Sequence, residues 1–202
     1  MTNFEEMKFY RHLFQHMKEL TPNEGIVYSE ILFHSLMETE SYTADGQFSR
    51  ELAVEGIMDD GDGCITYQPL SEARLMKRTC MSYPTVQKAV RSLKSKLIIA
   101  GNRIKCPPEL IERGYIEIPP DTSLRGRMLI FYGLLLDRSA PYGGITDTWA
   151  YRYEEICGVK KDNYYWLISQ LQQRGFVERL EDGRLRIIKK EQASQHTPSD
   201  KF

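Results

Sequence analysis

Between Ser71 and Pro107 the basic residues are Arg74, Lys77, Arg78, Lys88, Arg91, Lys94, Lys96, Arg103 and Lys105, and the only acid is Glu72. Ammonium and guanidinium groups gathered without counter-charges suit phosphate binding, because affinity for a nucleic-acid backbone comes mainly from cations that displace its condensed counterions. An ordinary solvated helix face intersperses both signs. The chain as a whole carries a formal net charge of −1, so the positive charge is segregated within a nearly neutral protein. That balance excludes a uniformly basic coat protein and makes the placement of charge the informative quantity.

Other residues that could do chemistry do not assemble into a site. His12 and His16 stand four apart, a metal-ligand spacing on a helix, but no carboxylate at Glu-x-x-His spacing accompanies them. Cys64, Cys80, Cys106 and Cys157 include no Cys-x-x-Cys pair and no histidine at finger spacing, which reads as free thiols rather than a zinc or dithiol centre. Asp60 and Asp62 precede Gly63, yet a calcium loop would need acids where Met58 and Pro69 stand. No glycine-rich phosphate loop or serine elbow occurs, so neither an enzyme nor a cofactor is expected. The opening residues include Glu5 and Glu6 where a signal peptide would be basic and then apolar, and no stretch is long enough to span a bilayer; the expected compartment is the cytoplasm.

The elements that position the basic cluster follow from periodicity. Residues 1–20 place Phe4, Met7, Tyr10, Phe14 and Met17 at helical intervals, which predicts an amphipathic helix and, for its apolar stripe, a homodimer contact. Thr21, Pro22 and Glu24 then form a helix start with a capping box, followed by a buried stripe of Ile26, Val27, Ile31, Leu32 and Leu36. Residues 38–63 are acidic and read as an insertion. Pro107-Pro108 and Pro119-Pro120 bracket a connection over 108–120 that can hold Tyr115 to Ile118 as a strand but cannot continue a helix. A core helix is expected from Leu124 to Leu136, and the residues after Lys190 lack periodicity and read as a disordered tail over 191–202.

Residues 74–99 repeat at 152–177, an offset of 78. In the first copy Leu75 and Met76 begin a short helix, Cys80-Met81-Ser82 turns, and Val86, Ala89, Val90 and Leu93 are the buried positions of a longer helix. In the second, Tyr153 and Ile156 face inward, Gly158-Val159-Lys160 turns, and Tyr164, Leu167, Ile168 and Leu171 take the matching places. Gly158 can adopt the left-handed conformation that ends the short helix, and Cys80 stands in for it. Each long helix leads into a hairpin, one turning at Ala100-Gly101-Asn102 and one at Glu181-Asp182-Gly183.

Helix, short helix, turn, longer helix and hairpin is the winged-helix order. The run from Cys80 through Ser82, Pro84, Thr85, Val86, Gln87, Lys88 and Arg91 to Leu93 resembles the recognition-helix region of winged helix-turn-helix families. The resemblance implies a fold that is mainly α with small β-hairpin wings. Two tandem winged-helix units, 21–107 and 121–190, would be joined by the 108–120 linker. It implies binding of double-stranded DNA, as a transcriptional regulator or as an initiator resembling those of plasmids and mobile elements. The tandem winged-helix partner of bacterial condensin, an acidic scaffold, is a third resemblance, and the basic first unit argues against it. Base edges would meet Ser82, Tyr83, Thr85, Gln87, Lys88 and Arg91, of which Gln87 can pair bidentately with adenine while Lys88 and Arg91 serve bases or phosphates. Lys77 and Arg78 would support them, with Asn102 and Arg103 at the wing tip. In the second unit Lys160, Lys161 and Asn163 open the long helix. There Tyr164, Tyr165 and Trp166 cannot all be buried, so Tyr165 stacks on a partner or sugar, or the unit binds protein.

Overall fold

In the computed structural model the described residues are 6–37, 63–119, 123–147 and 161–188. The chain opens with a strand, β1 (Met7–Tyr10), a one-turn helix, α1 (Leu13–His16), and a long helix, α2 (Pro22–Met37). Strand β2 (Cys64–Thr66) precedes two helices, α3 (Glu72–Thr79) and α4 (Tyr83–Ser95), and a hairpin of β3 (Ile99–Ala100) and β4 (Arg103–Lys105). Helix α5 (Pro108–Arg113), strand β5 (Tyr115–Ile118) and helix α6 (Gly126–Ser139) follow. A 3-10 turn (Ala140–Tyr142), strand β6 (Ile145–Thr146), helix α7 (Lys161–Gln173) and a hairpin of β7 (Val177–Arg179) and β8 (Leu185–Ile187) complete the described elements. Helices dominate and the sheets are small and antiparallel, an α+β arrangement.

Local chemistry accounts for the helix ends. At the start of α2 the Thr21 N–H donates to Glu24 Oε2 at 2.7 Å and the Glu24 N–H to Thr21 Oγ1 at 3.4 Å, so the expected capping box satisfies two otherwise orphaned donors. Ser71 Oγ accepts the Arg74 N–H at 3.2 Å and starts α3. Cys80 ends that helix in the left-handed region at φ 53°, Met81 is buried, and Ser82 opens α4 in an extended conformation. A side chain held left-handed costs about 1–2 kcal/mol relative to glycine, which the burial of Met81 and Val86 offsets.

The repeat in the sequence is a repeat in the backbone. An offset of 78 carries α4 onto α7 end for end. Buried Val86, Ala89 and Leu93 map onto buried Tyr164, Leu167 and Leu171. The closing bonds recur: Ile98 N–H to Leu93 O at 3.0 Å is matched by Phe176 N–H to Leu171 O at 2.9 Å. Leu97, at φ 57°, takes the left-handed place that Gly175 fills at φ 72°. Each hairpin gains a third strand from upstream, giving the orders β2-β4-β3 and β6-β8-β7. The upstream strands are too short for periodicity to reveal, and β2 was not among the expected elements. The turn expected at Gly158-Val159-Lys160, with Tyr153 and Ile156, lies outside the described residues, as do the 38–62 part of the acidic insertion and the 191–202 tail.

Two expectations are corrected at the join between the halves. Residues 7–10 of the supposed amphipathic helix form β1, which pairs antiparallel with β5, Met7 opposite Ile118 and Tyr10 opposite Tyr115. The 108–120 connection holds α5 and β5, and its Leu110, Ile111, Ile116 and Ile118 are buried. Strand β1 packs on α2, β5 packs on α6, and α2 touches α6, so one hydrophobic core runs through both repeats. The closeness is visible at Gly133, where a Cβ would lie 2.5 Å from Ile118 Cγ1. The stripe expected to dimerise is also internal: Met7, Tyr10 and Met17 are buried and Phe14 packs against the core, while Phe4 lies outside the described residues. Apolar area already removed from water within the chain gives no drive to pair with a second copy.

Candidate nucleic-acid interface

Helix α4 buries Val86, Ala89 and Leu93, and helical periodicity therefore puts Pro84, Lys88, Arg91 and Ser95 on the outward side. Lys88, Arg91 and Lys94 are exposed. None of the three side chains has a hydrogen-bond or ion-pair partner among the described residues. Arg74 and Lys77 on α3 are exposed as well. Lys94, three residues after Arg91, belongs with this group although the recognition-helix pattern did not nominate it; its helical spacing from Arg91 is the signal that marks it.

Several nominated residues are engaged elsewhere. The Arg78 Nε donates to Glu30 Oε2, and the pair is nearly enclosed, with side-chain exposures of 11% and 0%. Burial pushes the Glu30 carboxyl above its ordinary value, against the pull of Arg78 and of the Lys8 N–H. Arg78 is thus engaged with Glu30 inside the fold. Arg103 Nη2 donates to the Cys64 carbonyl at 2.8 Å and ties β2 to the hairpin. Lys96, part of the basic run, donates to Glu24 Oε2 and to the Glu19 carbonyl, both at 2.7 Å. Burial opposes ionisation of Glu24, but Lys96, Ser92 and Thr21 together bring its carboxyl down to about 2.

The first turn of α4 is internally bonded. Gln87 Nε2 donates to the Tyr83 hydroxyl at 3.0 Å, and a hydrogen bond to the Glu72 carboxylate raises the Tyr83 phenol above its ordinary value. Ser82 Oγ and Thr85 Oγ1 lie 2.9 Å apart. Tyr83, Ser82 and Asn102 are exposed, and the Asn102 carbonyl accepts the Tyr67 N–H at 2.7 Å.

The second copy differs in chemistry. Lys160 lies outside the described residues, of Lys161 only the backbone is described, and Asn163 is exposed. Tyr164 is buried while Tyr165 and Trp166 are 49% and 57% exposed, in keeping with the expectation that the three could not share a core. Two of its three hairpin cations are ion-paired locally, Arg184 with Asp182 at 2.7 Å and Arg186 with Glu178 at 3.0 Å, while Arg179 is exposed.

Among the described residues no three His, Cys, Asp or Glu side chains gather to hold a metal ion. His12 is left-handed at φ 60° and its Nδ1 lies 2.9 Å from Gln15 Oε1. Cys64, Cys80 and Cys106 are free thiols. No described helix is long and apolar enough to cross a membrane. No protein-family profile, curated protein or solved structure matches the chain.

Proposed function

We propose that the chain is a tandem winged-helix protein that binds double-stranded DNA through the α3-turn-α4 unit, as a transcriptional regulator or a replication initiator. The observation that carries this reading is the outward face of α4, where Lys88, Arg91 and Lys94 stand exposed with no ion-pair partner among the described residues. The repeated strand order supports the winged-helix assignment, since a long helix followed by a hairpin and flanked by an upstream strand occurs twice. With α4 in the major groove, Ser82, Tyr83 and Thr85 in its first turn reach base edges, while Lys88, Arg91 and Lys94 meet phosphates. Gln87 gives one amide N–H to the Tyr83 hydroxyl and keeps its second N–H and its Oε1, the pair that a bidentate adenine contact uses. Asn102 at the hairpin tip lies over the flanking backbone.

The test is a titration of duplex DNA over a range of salt concentrations. Lys88→Ala and Arg91→Ala should each lower the slope of log affinity against log salt by about 0.9, with thermal unfolding unchanged because both side chains are exposed. Variants that bind as the parent does at every salt concentration would contradict the assignment. A second reading, a protein-binding scaffold, is favoured by the exposed Tyr165 and Trp166 on α7, since aromatic side chains of this kind anchor protein interfaces.

A further inference from the structure

A cleft of about 450 Å³ opens between β1, α2 and α3. That volume falls within the range of small-molecule sites, which combine apolar walls with a few convergent polar groups. Phe33 and Met37 from α2, with Leu70, supply the apolar surface. Phe33 is pinned in place: the Lys8 ammonium lies 5.7 Å from its ring centroid, and Tyr115 meets it edge-on with centroids 5.1 Å apart.

The charges lining the cleft are nearly all satisfied within the protein. Glu30, fully buried, accepts the Lys8 N–H at 2.5 Å and the Arg78 Nε. The Lys8 ammonium is ion-paired with Glu117, which the Glu6 side chain also contacts. Arg74 is different. It lines the cleft one helical turn before Arg78, is exposed, and its guanidinium has no partner among the described residues.

We infer that this cleft binds a small amphipathic anion, an aromatic or branched-chain carboxylate whose apolar body lies on Phe33, Met37 and Leu70 and whose charge meets Arg74. A planar guanidinium beside an apolar wall suits such a ligand, because it can hold a carboxylate through two parallel hydrogen bonds while the body leaves water. The occupant would contact both α2 and α3. The inference does not rest on DNA binding, and its test contains no DNA.

The probe is anilinonaphthalene sulfonate, an aromatic anion whose fluorescence rises when it leaves water, titrated into the full-length protein. One saturable site per chain is expected. Arg74→Gln should weaken it roughly tenfold, and Arg74→Lys should retain most of the affinity. Met37→Glu, at the half-buried end of α2, should abolish binding by placing a carboxylate in the wall that holds the ligand's apolar body. Thermal unfolding of each variant confirms that the fold is kept. Absence of saturable binding to the parent, or an affinity that Arg74→Gln leaves unchanged, overturns the inference.

Discussion

Helices α4 and α7 are the same element twice, and they differ where they face solvent. At the offset of 78 the core positions agree in character, Val86 with Tyr164 and Leu93 with Leu171, all buried. The outward positions do not agree: Lys88 is replaced by Trp166, Arg91 by Ser169 and Lys94 by Gln172. One framework thus presents a cationic face in the first half and an aromatic and amide face in the second. Core packing and helix-end geometry specify the framework, whereas the outward side chains set its surface chemistry, and those of Lys88, Arg91 and Lys94 have no partner among the described residues.

The largest effect expected from breaking this comparison concerns a cation of the basic run that is ion-paired inside the fold. Arg78→Ala leaves the buried Glu30 without its ion-pair partner and should destabilise the fold by about 3–5 kcal/mol. Where the variant remains folded, its salt slope for DNA should match the parent's. Chemical denaturation and the slope, measured together, separate a structural arginine from a phosphate contact, and a lowered slope with intact stability would return Arg78 to the DNA face.

An ion pair fastens the end of α4 to the start of α2. The folded Glu24 carboxyl is held down to about 2, below its unfolded value of 4.5, so its contribution is present above pH 4.5 and is lost as the pH falls toward 2. The shift corresponds to at most about 3 kcal/mol. Denaturant titrations across that window should show a steeper acid loss in the parent than in Glu24→Gln. Parallel curves would mean that the Lys96–Glu24 pair contributes nothing.

A smaller effect, of opposite sign, sharpens the equivalence of the two helix ends. Leu97 is left-handed and 75% exposed, and its counterpart is Gly175. Leu97→Gly should stabilise the protein by about 1 kcal/mol, because the strain removed exceeds the packing lost. A lower melting temperature for this variant would show that Leu97 has a partner the repeat does not reveal.

What the sequence discloses divides along the same line between local and distant interactions. The Thr21–Glu24 box, the Cys80-Met81-Ser82 turn and both hairpins were legible because each is decided by residues close in sequence. Strand β1 was not. Met7, Tyr10 and Met17 fit a helical period, but Phe9 is buried as well, and the strand exists because Tyr115–Ile118 offers a ladder more than a hundred positions away. For the same reason the count of basic residues was legible and their availability was not. Arg78, Lys96 and Arg103 belong to the cationic run in sequence, yet Glu30, Glu24 and the Cys64 carbonyl hold them in space. The exposed cations that remain are Lys88, Arg91 and Lys94 on α4, Arg74 and Lys77 on α3, and Lys105 on β4.

The contrast between the two helix faces is tested most directly by the salt-dependent affinity of random-sequence duplex DNA for two double variants. Lys88→Ala with Arg91→Ala should reduce the slope of log affinity against log salt by about 1.8, while Tyr165→Ala with Trp166→Ala should leave it unchanged. Equal losses in the two variants, or a loss confined to the α7 variant, would contradict the assignment of α4 as the DNA-binding face.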